Sequence, residues 1–190
     1  RDRLLMEGTH IEHPDYCGPN EVELENRLVE SIRSSPSLVL ASFSPQHVDR
    51  LLGFLRATKK AGRVFVADAY TAFVMHLIAS ETPIPRPEST EWVKVFFPKY
   101  FVESYQRKQL QKHFELMSPA RIGVDEIRSN PSRYVMLFRP SMFDSDFAEN
   151  LPEGSRVLYS RWRGYLDRAE WQAVKDALAN VNEDLIEAHT

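Results

Sequence analysis

Five short segments carry the side chains in this sequence that could do chemistry: Glu7-Gly8-Thr9-His10, Ser42-Phe43-Ser44, Asp68-Ala69-Tyr70, Arg139-Pro140-Ser141 and Ser160-Arg161-Trp162-Arg163. Each directly follows a short apolar run that reads as a β-strand. Together they hold hydroxyls, three arginines, two carboxylates and one imidazole. Hydroxyls and guanidinium groups beside helix N-termini are what a phosphate needs, because the orphan N–H groups and the helix dipole already favour an anion there. On this basis Thr9, His10, Ser44, Ser141, Ser160 and Arg161 are candidates for contacting a phosphate or a substrate backbone. A plainer reading makes Ser44 and Asp68 helix N-caps, whose oxygens only satisfy the first turn of the following helix.

Several familiar chemistries have no sequence to support them. No Gly-rich phosphate loop and no G-x-G-x-x-G follows the early strands. The six histidines form neither H-E-x-x-H nor H-x-H-x-D-H, and no C-x-x-C occurs. His10 and His13 share a loop, a pairing found more often on a polar surface than on a metal. Cys17 has no identifiable base beside it and reads as a structural or surface thiol.

The elements that must position these residues can be read from periodicity. Strands are expected over 3–6, 37–41, 63–67, 134–138, 156–159 and 184–188. Helices are expected from Asn20, an N-cap, to about 33; from Ser44-Pro45, read as N-cap and N1, to Ala61, stopped by Gly62; over 69–80; near 145–150, short and acidic; and over 168–180. Strand–helix–strand units with doubly apolar strands predict an α/β fold, a doubly wound and mostly parallel sheet with helices on both faces. In such a sheet ligands bind outside the carboxyl ends of the strands, where the five segments fall.

The 190 residues suit one domain spanning 1–190, with an inserted aromatic and basic arm at about 82–130. Within that arm 82–87 is proline-rich, and 92–117 is expected to be helical, interrupted at Pro98. There Trp92, Phe96, Phe97, Tyr100, Phe101 and Tyr105 interleave with Lys94, Lys99, Arg107, Lys108 and Lys112. Such a mixture packs an amphipathic arm onto its domain or, alternatively, holds single-stranded nucleic acid or a second subunit. Hydrophobic residues make up 43% of the chain and the formal net charge is −3, which excludes a globally basic nucleic-acid binder. Apolar runs fall short of the roughly 20 residues of a membrane helix, so no membrane partner is expected. One cysteine allows no internal disulfide, and a reducing, cytoplasmic location is expected.

The same stretches resemble one family. Leu4-Leu5-Met6-Glu7-Gly8-Thr9-His10 is similar to the strand-plus-acid motif that opens the β-CASP cap of metallo-β-lactamase-fold hydrolases, the nuclease superfamily that includes ribonuclease J. Ser44-Pro45-Gln46-His47-Val48-Asp49-Arg50 resembles the strand-to-helix turn of that cap's second unit. Asp68-Ala69-Tyr70-Thr71-Ala72, Arg139-Pro140-Ser141-Met142 and Tyr159-Ser160-Arg161-Trp162-Arg163-Gly164-Tyr165 look like a bacterial branch labelled metallo-hydrolase, and Trp162 and Tyr165 depart from the ribonuclease J pattern. His189-Thr190 looks like the start of a His-Thr-Ser-Gly-His segment.

The resemblance implies a substrate-binding cap of a metal-dependent hydrolase, a phosphodiesterase or ribonuclease acting on single-stranded RNA or another phosphodiester. It assigns catalytic positions to Glu7 and His189. It implies two zinc ions in a longer parent protein and none held by this chain, whose missing partner is a metallo-β-lactamase catalytic domain. Both chain ends read as cut points within that parent, and the piece alone is expected to be inactive. The alternative is a non-catalytic interaction or dimerisation module of the same fold, with a homodimer formed through the arm. An independent small-molecule enzyme is disfavoured by the missing glycine loop.

Overall fold

A computed structural model describes residues 21–108, 111–180 and 185–187. The expected strand over 3–6, Asn20, and the candidates Glu7, Thr9, His10 and His189 lie outside the described residues.

Among the described residues seven strands form one sheet: β1 Val39–Phe43, β2 Val64–Asp68, β3 Val93–Phe96, β4 Arg121–Ile122, β5 Tyr134–Leu137, β6 Arg156–Ser160 and β7 Leu185–Glu187. Their order across the sheet is β4-β3-β2-β5-β1-β6-β7, and every pairing is parallel. Every residue of β1, β2 and β5 is buried. This is why these strands read as continuous apolar runs: in a parallel sheet covered on both sides, neither face can be polar.

The helices are α1 Glu21–Ser34, α2 Val48–Lys60, α3 Ala69–Ile78, α4 Lys99–Lys108, α5 Gln111–Met117, α6 Val124–Ser129, α7 Ser141–Ser145 and α8 Ala169–Asn180. On one face Leu28 and Ile32 of α1, Leu51 and Phe54 of α2 and Ala72 and Met75 of α3 pack with Val39, Phe65 and Val135 of the strands. On the other, Ile127 of α6, Met142 of α7 and Trp171 and Val174 of α8 pack with Leu40, Val66, Met136 and Val157. Trp171 sits edge-on to both Phe138 and Tyr159, with centroids 6.3 and 5.2 Å away. The fold is therefore the doubly wound α/β sheet that the strand–helix alternation predicts.

Gly62 ends α2 as expected. It adopts φ +74°, and the turn closes with Arg63 N–H donating to Thr58 O and Gly62 N–H to Lys59 O, the Schellman arrangement. The Arg63 side chain then donates to Ser37 O and Ser35 O, tying the start of β2 to the lead-in of β1.

Three local expectations are corrected. The start of 92–117 is a strand, not a helix: Val93, Val95 and Phe96 are buried, and β3 pairs with β2 from Phe65↔Val93 to Asp68↔Phe96. Pro98 has no N–H to continue a ladder, but its carbonyl accepts from Phe101 and Val102 and opens α4. Ser44 does not cap α2; its carbonyl accepts His47 N–H in a tight turn, and His47 is the N-cap, with Nδ1 accepting Arg50 N–H at 3.2 Å. The short helix expected near 145–150 lies earlier, as α7, because Ala148 and Glu149 turn into positive φ. Finally, β4 and α6 were not expected at all, being too short to show periodicity. Among the described residues no helix is long and apolar enough to cross a membrane.

Candidate functional site

Chain direction across the sheet reverses between β1 and β5. From β1 the chain leaves over α2 toward β2, on one face; from β5 it leaves over α7 toward β6, on the other. The loops after these two neighbouring strands therefore part, and a crevice opens at their carboxyl ends, where ligands bind in open α/β sheets. Ser44 follows β1 there, and Arg139 follows β5.

Asp68, the last residue of β2, organises the crevice. Its Oδ1 accepts Thr71 N–H at 2.7 Å, which caps α3. Its Oδ2 accepts from Nε of Arg139 at 2.8 Å and lies 2.8 Å from Nη2 in an ion pair. The carboxylate is almost fully enclosed, at 1% exposure, while the Arg139 side chain keeps 29%. The ion pair thus fixes one edge of the guanidinium and leaves Nη1 unengaged by the described residues. Burial, the largest single influence, works against the Arg139 charge, but the Asp68 carboxylate, the hydrogen bond to it and the nearby Tyr100 and Tyr70 phenols together outweigh burial, and the guanidinium is held above its ordinary value.

Arg139 lines a cavity of about 460 Å³ together with Ser44, Gln46, Tyr70, Tyr100 and Arg161. Gln46 Nε2 donates to Tyr70 Oη at 3.2 Å, joining the loops after β1 and β2. Loss of solvent raises the Tyr100 phenol above its usual range; Arg139 opposes this, and Asp68 and Asp146 reinforce it. A second cavity, of about 320 Å³, is lined by Ser44, His47, Arg50, Ser160, Arg161, Trp162 and Tyr165. The two cavities share Ser44 and Arg161 and so adjoin as one groove along the carboxyl rim. Arg50 is 5% exposed, and its Nη1 donates to the buried Ser160 hydroxyl. Arg161 makes no hydrogen bond or ion pair with the described residues.

The structure brings Ser44, Ser160 and Arg161 to one groove. Ser141 is exposed at the first turn of α7 and lines neither cavity. Sequence reasoning missed Arg50, Gln46 and the role of Tyr100. The signal for Tyr100 was present: once Val93–Phe96 is a strand, Phe97-Pro98-Lys99-Tyr100 becomes one more segment following a strand.

The described donors do not fit a metal centre. No three His, Cys, Asp or Glu side chains among the described residues converge on one point, and Asp68, the acid deepest in the crevice, is already taken up by Arg139 and the α3 cap. The arrangement suits binding an anion: a pre-positioned guanidinium, a second arginine lining the same cavity, and neutral hydroxyls beside them. No protein-family model matches the chain, and no curated protein matches it significantly.

Proposed function

We propose that this chain is a substrate-holding domain for phosphate-bearing ligands, the cap of a metal-dependent phosphodiesterase or ribonuclease whose metal ions belong to a separate catalytic domain. The observation that supports this best is the fixed Arg139, pinned by a buried Asp68 in the switch-point crevice and lining one cavity with Ser44 and Arg161. An arginine immobilised by a carboxylate loses little freedom on binding a second anion, so its remaining N–H groups act as a prepared receptor. Hydrolysis is assigned to the partner domain on the family resemblance, and among the described residues no three His, Cys, Asp or Glu side chains converge on one point.

The test is titration of the chain with a short single-stranded RNA, followed by calorimetry and by amide shifts. Shifts at Ser44, Tyr70, Arg139 and Arg161 are expected. Arg139→Gln and Arg161→Gln should each weaken binding about tenfold to a hundredfold, as for loss of a hydrogen bond to a charged group. Unchanged affinity in both variants would sink the proposal.

A further inference from the structure

The 320 Å³ end of the groove carries a feature that anion binding does not use. Trp162 is 67% exposed, the most open large aromatic among the described residues, and it lines the same cavity as Arg161 and Arg50. Its position is built. The Trp162 carbonyl accepts from the Tyr159 hydroxyl at 2.9 Å and from Tyr165 N–H at 3.1 Å. Tyr159 is itself buried against Trp171. The Tyr165 ring meets the indole edge-to-face, with centroids 5.4 Å apart, and the Arg168 guanidinium covers Tyr165 at 4.4 Å. The six-membered ring of Trp162 lies against Gly164, where any Cβ would collide with it. A large apolar ring in solvent, flanked by the Tyr165 ring and Gly164 and with its own carbonyl tied down twice, is prepared for a flat partner.

We infer that Trp162 and Tyr165 form a stacking platform for a nucleobase, whose attached phosphate is held by Arg161, so that the groove selects a single-stranded nucleic acid over other phosphate esters. This rests on the anion-binding reading above and adds the base to it. The charge around the platform favours a nucleic acid over a neutral ring: Arg161 and Arg50 line the cavity, and among the described residues no carboxylate does. Base–aromatic stacking accepts any base, so the platform confers preference for a base without sequence specificity.

The experiment compares a five-nucleotide oligoadenylate with an abasic pentamer of equal charge, on the whole chain. Oligoadenylate should quench tryptophan emission and bind about tenfold more tightly than the abasic strand. Trp162→Ala should remove that preference without changing abasic affinity, Trp162→Phe should retain most of it, and Gly164→Ala should behave as Trp162→Ala because it displaces the ring. Circular dichroism melts check that each variant folds. Equal affinity for both strands, with Arg139 still required, overturns the platform and leaves the anion site standing. No binding of either strand overturns both. A Trp162→Ala variant that binds both strands as the parent does, but associates more weakly with a catalytic domain, overturns the platform in favour of a protein contact.

Discussion

Asp68 does two jobs with two oxygens, and the two can be separated. Asp68→Ala removes the α3 cap, worth about 1 kcal/mol, and leaves the Arg139 charge without its buried partner. Because Arg139 is partly exposed, water recovers some of that second cost, and a total destabilisation of about 2–4 kcal/mol is expected from urea unfolding. Asp68→Asn keeps the cap acceptor and should lose less. Tyr100 sets the groove's alkaline limit. Its folded pKa is raised, so its contribution to stability is present below the ordinary phenol value of about 10 and is lost as pH rises through the higher folded value. An ionised Tyr100 would also set a negative charge beside Arg139. Affinity for inorganic phosphate should therefore be level, as far as Tyr100 is concerned, up to about pH 9 and fall above about 10, and Tyr100→Phe should flatten that fall; an unchanged alkaline limb in Tyr100→Phe would remove Tyr100 from the site.

In α2 and just past its end, two glycines make opposite predictions. Gly62 holds positive φ with open space where a Cβ would go. Gly62→Ala should therefore cost about 1–2 kcal/mol for conformational reasons alone. Gly53 lies inside the helix and also has open space, so Gly53→Ala should stabilise by about 1 kcal/mol. Thermal melts of the two variants should move in opposite directions. Elements were legible in the sequence where an apolar run met a clear stop: β1, β2, β5 and β6 came within two residues of their observed ends, and Gly62 marked its turn. They were illegible where aromatics dominated. The aromatic stretch beginning at Trp92 suits a helix face and a strand equally well by composition, and only pairing with β2 decides for the strand. The post-strand segments among the described residues were readable as one rim because parallel strands put their carboxyl ends together, whereas Arg50 was not, since it belongs to the first turn of α2 and reaches back to hold Ser160.

At the scale of the molecule, the net charge of −3 opposes an approaching nucleic acid, and attraction must come from the groove alone. Few phosphates can be neutralised there. With two engaged by Arg139 and Arg161, the logarithm of the RNA-binding constant should fall against the logarithm of salt with a slope of about −1 to −2, near 0.7 per phosphate. Fluorescence anisotropy from 50 to 300 mM salt measures it, and a slope steeper than about −4 would place the binding surface elsewhere.

The position of β1 has a further consequence for synthesis. Its two sheet neighbours, β5 and β6, both come later in the chain, starting at Tyr134 and Arg156. A nascent chain that has reached β4 therefore holds β1 with neither native neighbour made, and β2 lacks β5 as well. Strand edges of this kind, rich in valine and leucine, are the sticky species of slow, non-local folding. Ribosomal pausing near residue 120, or a truncation there, should yield aggregates, and chaperone dependence should end only when β6 closes the gap.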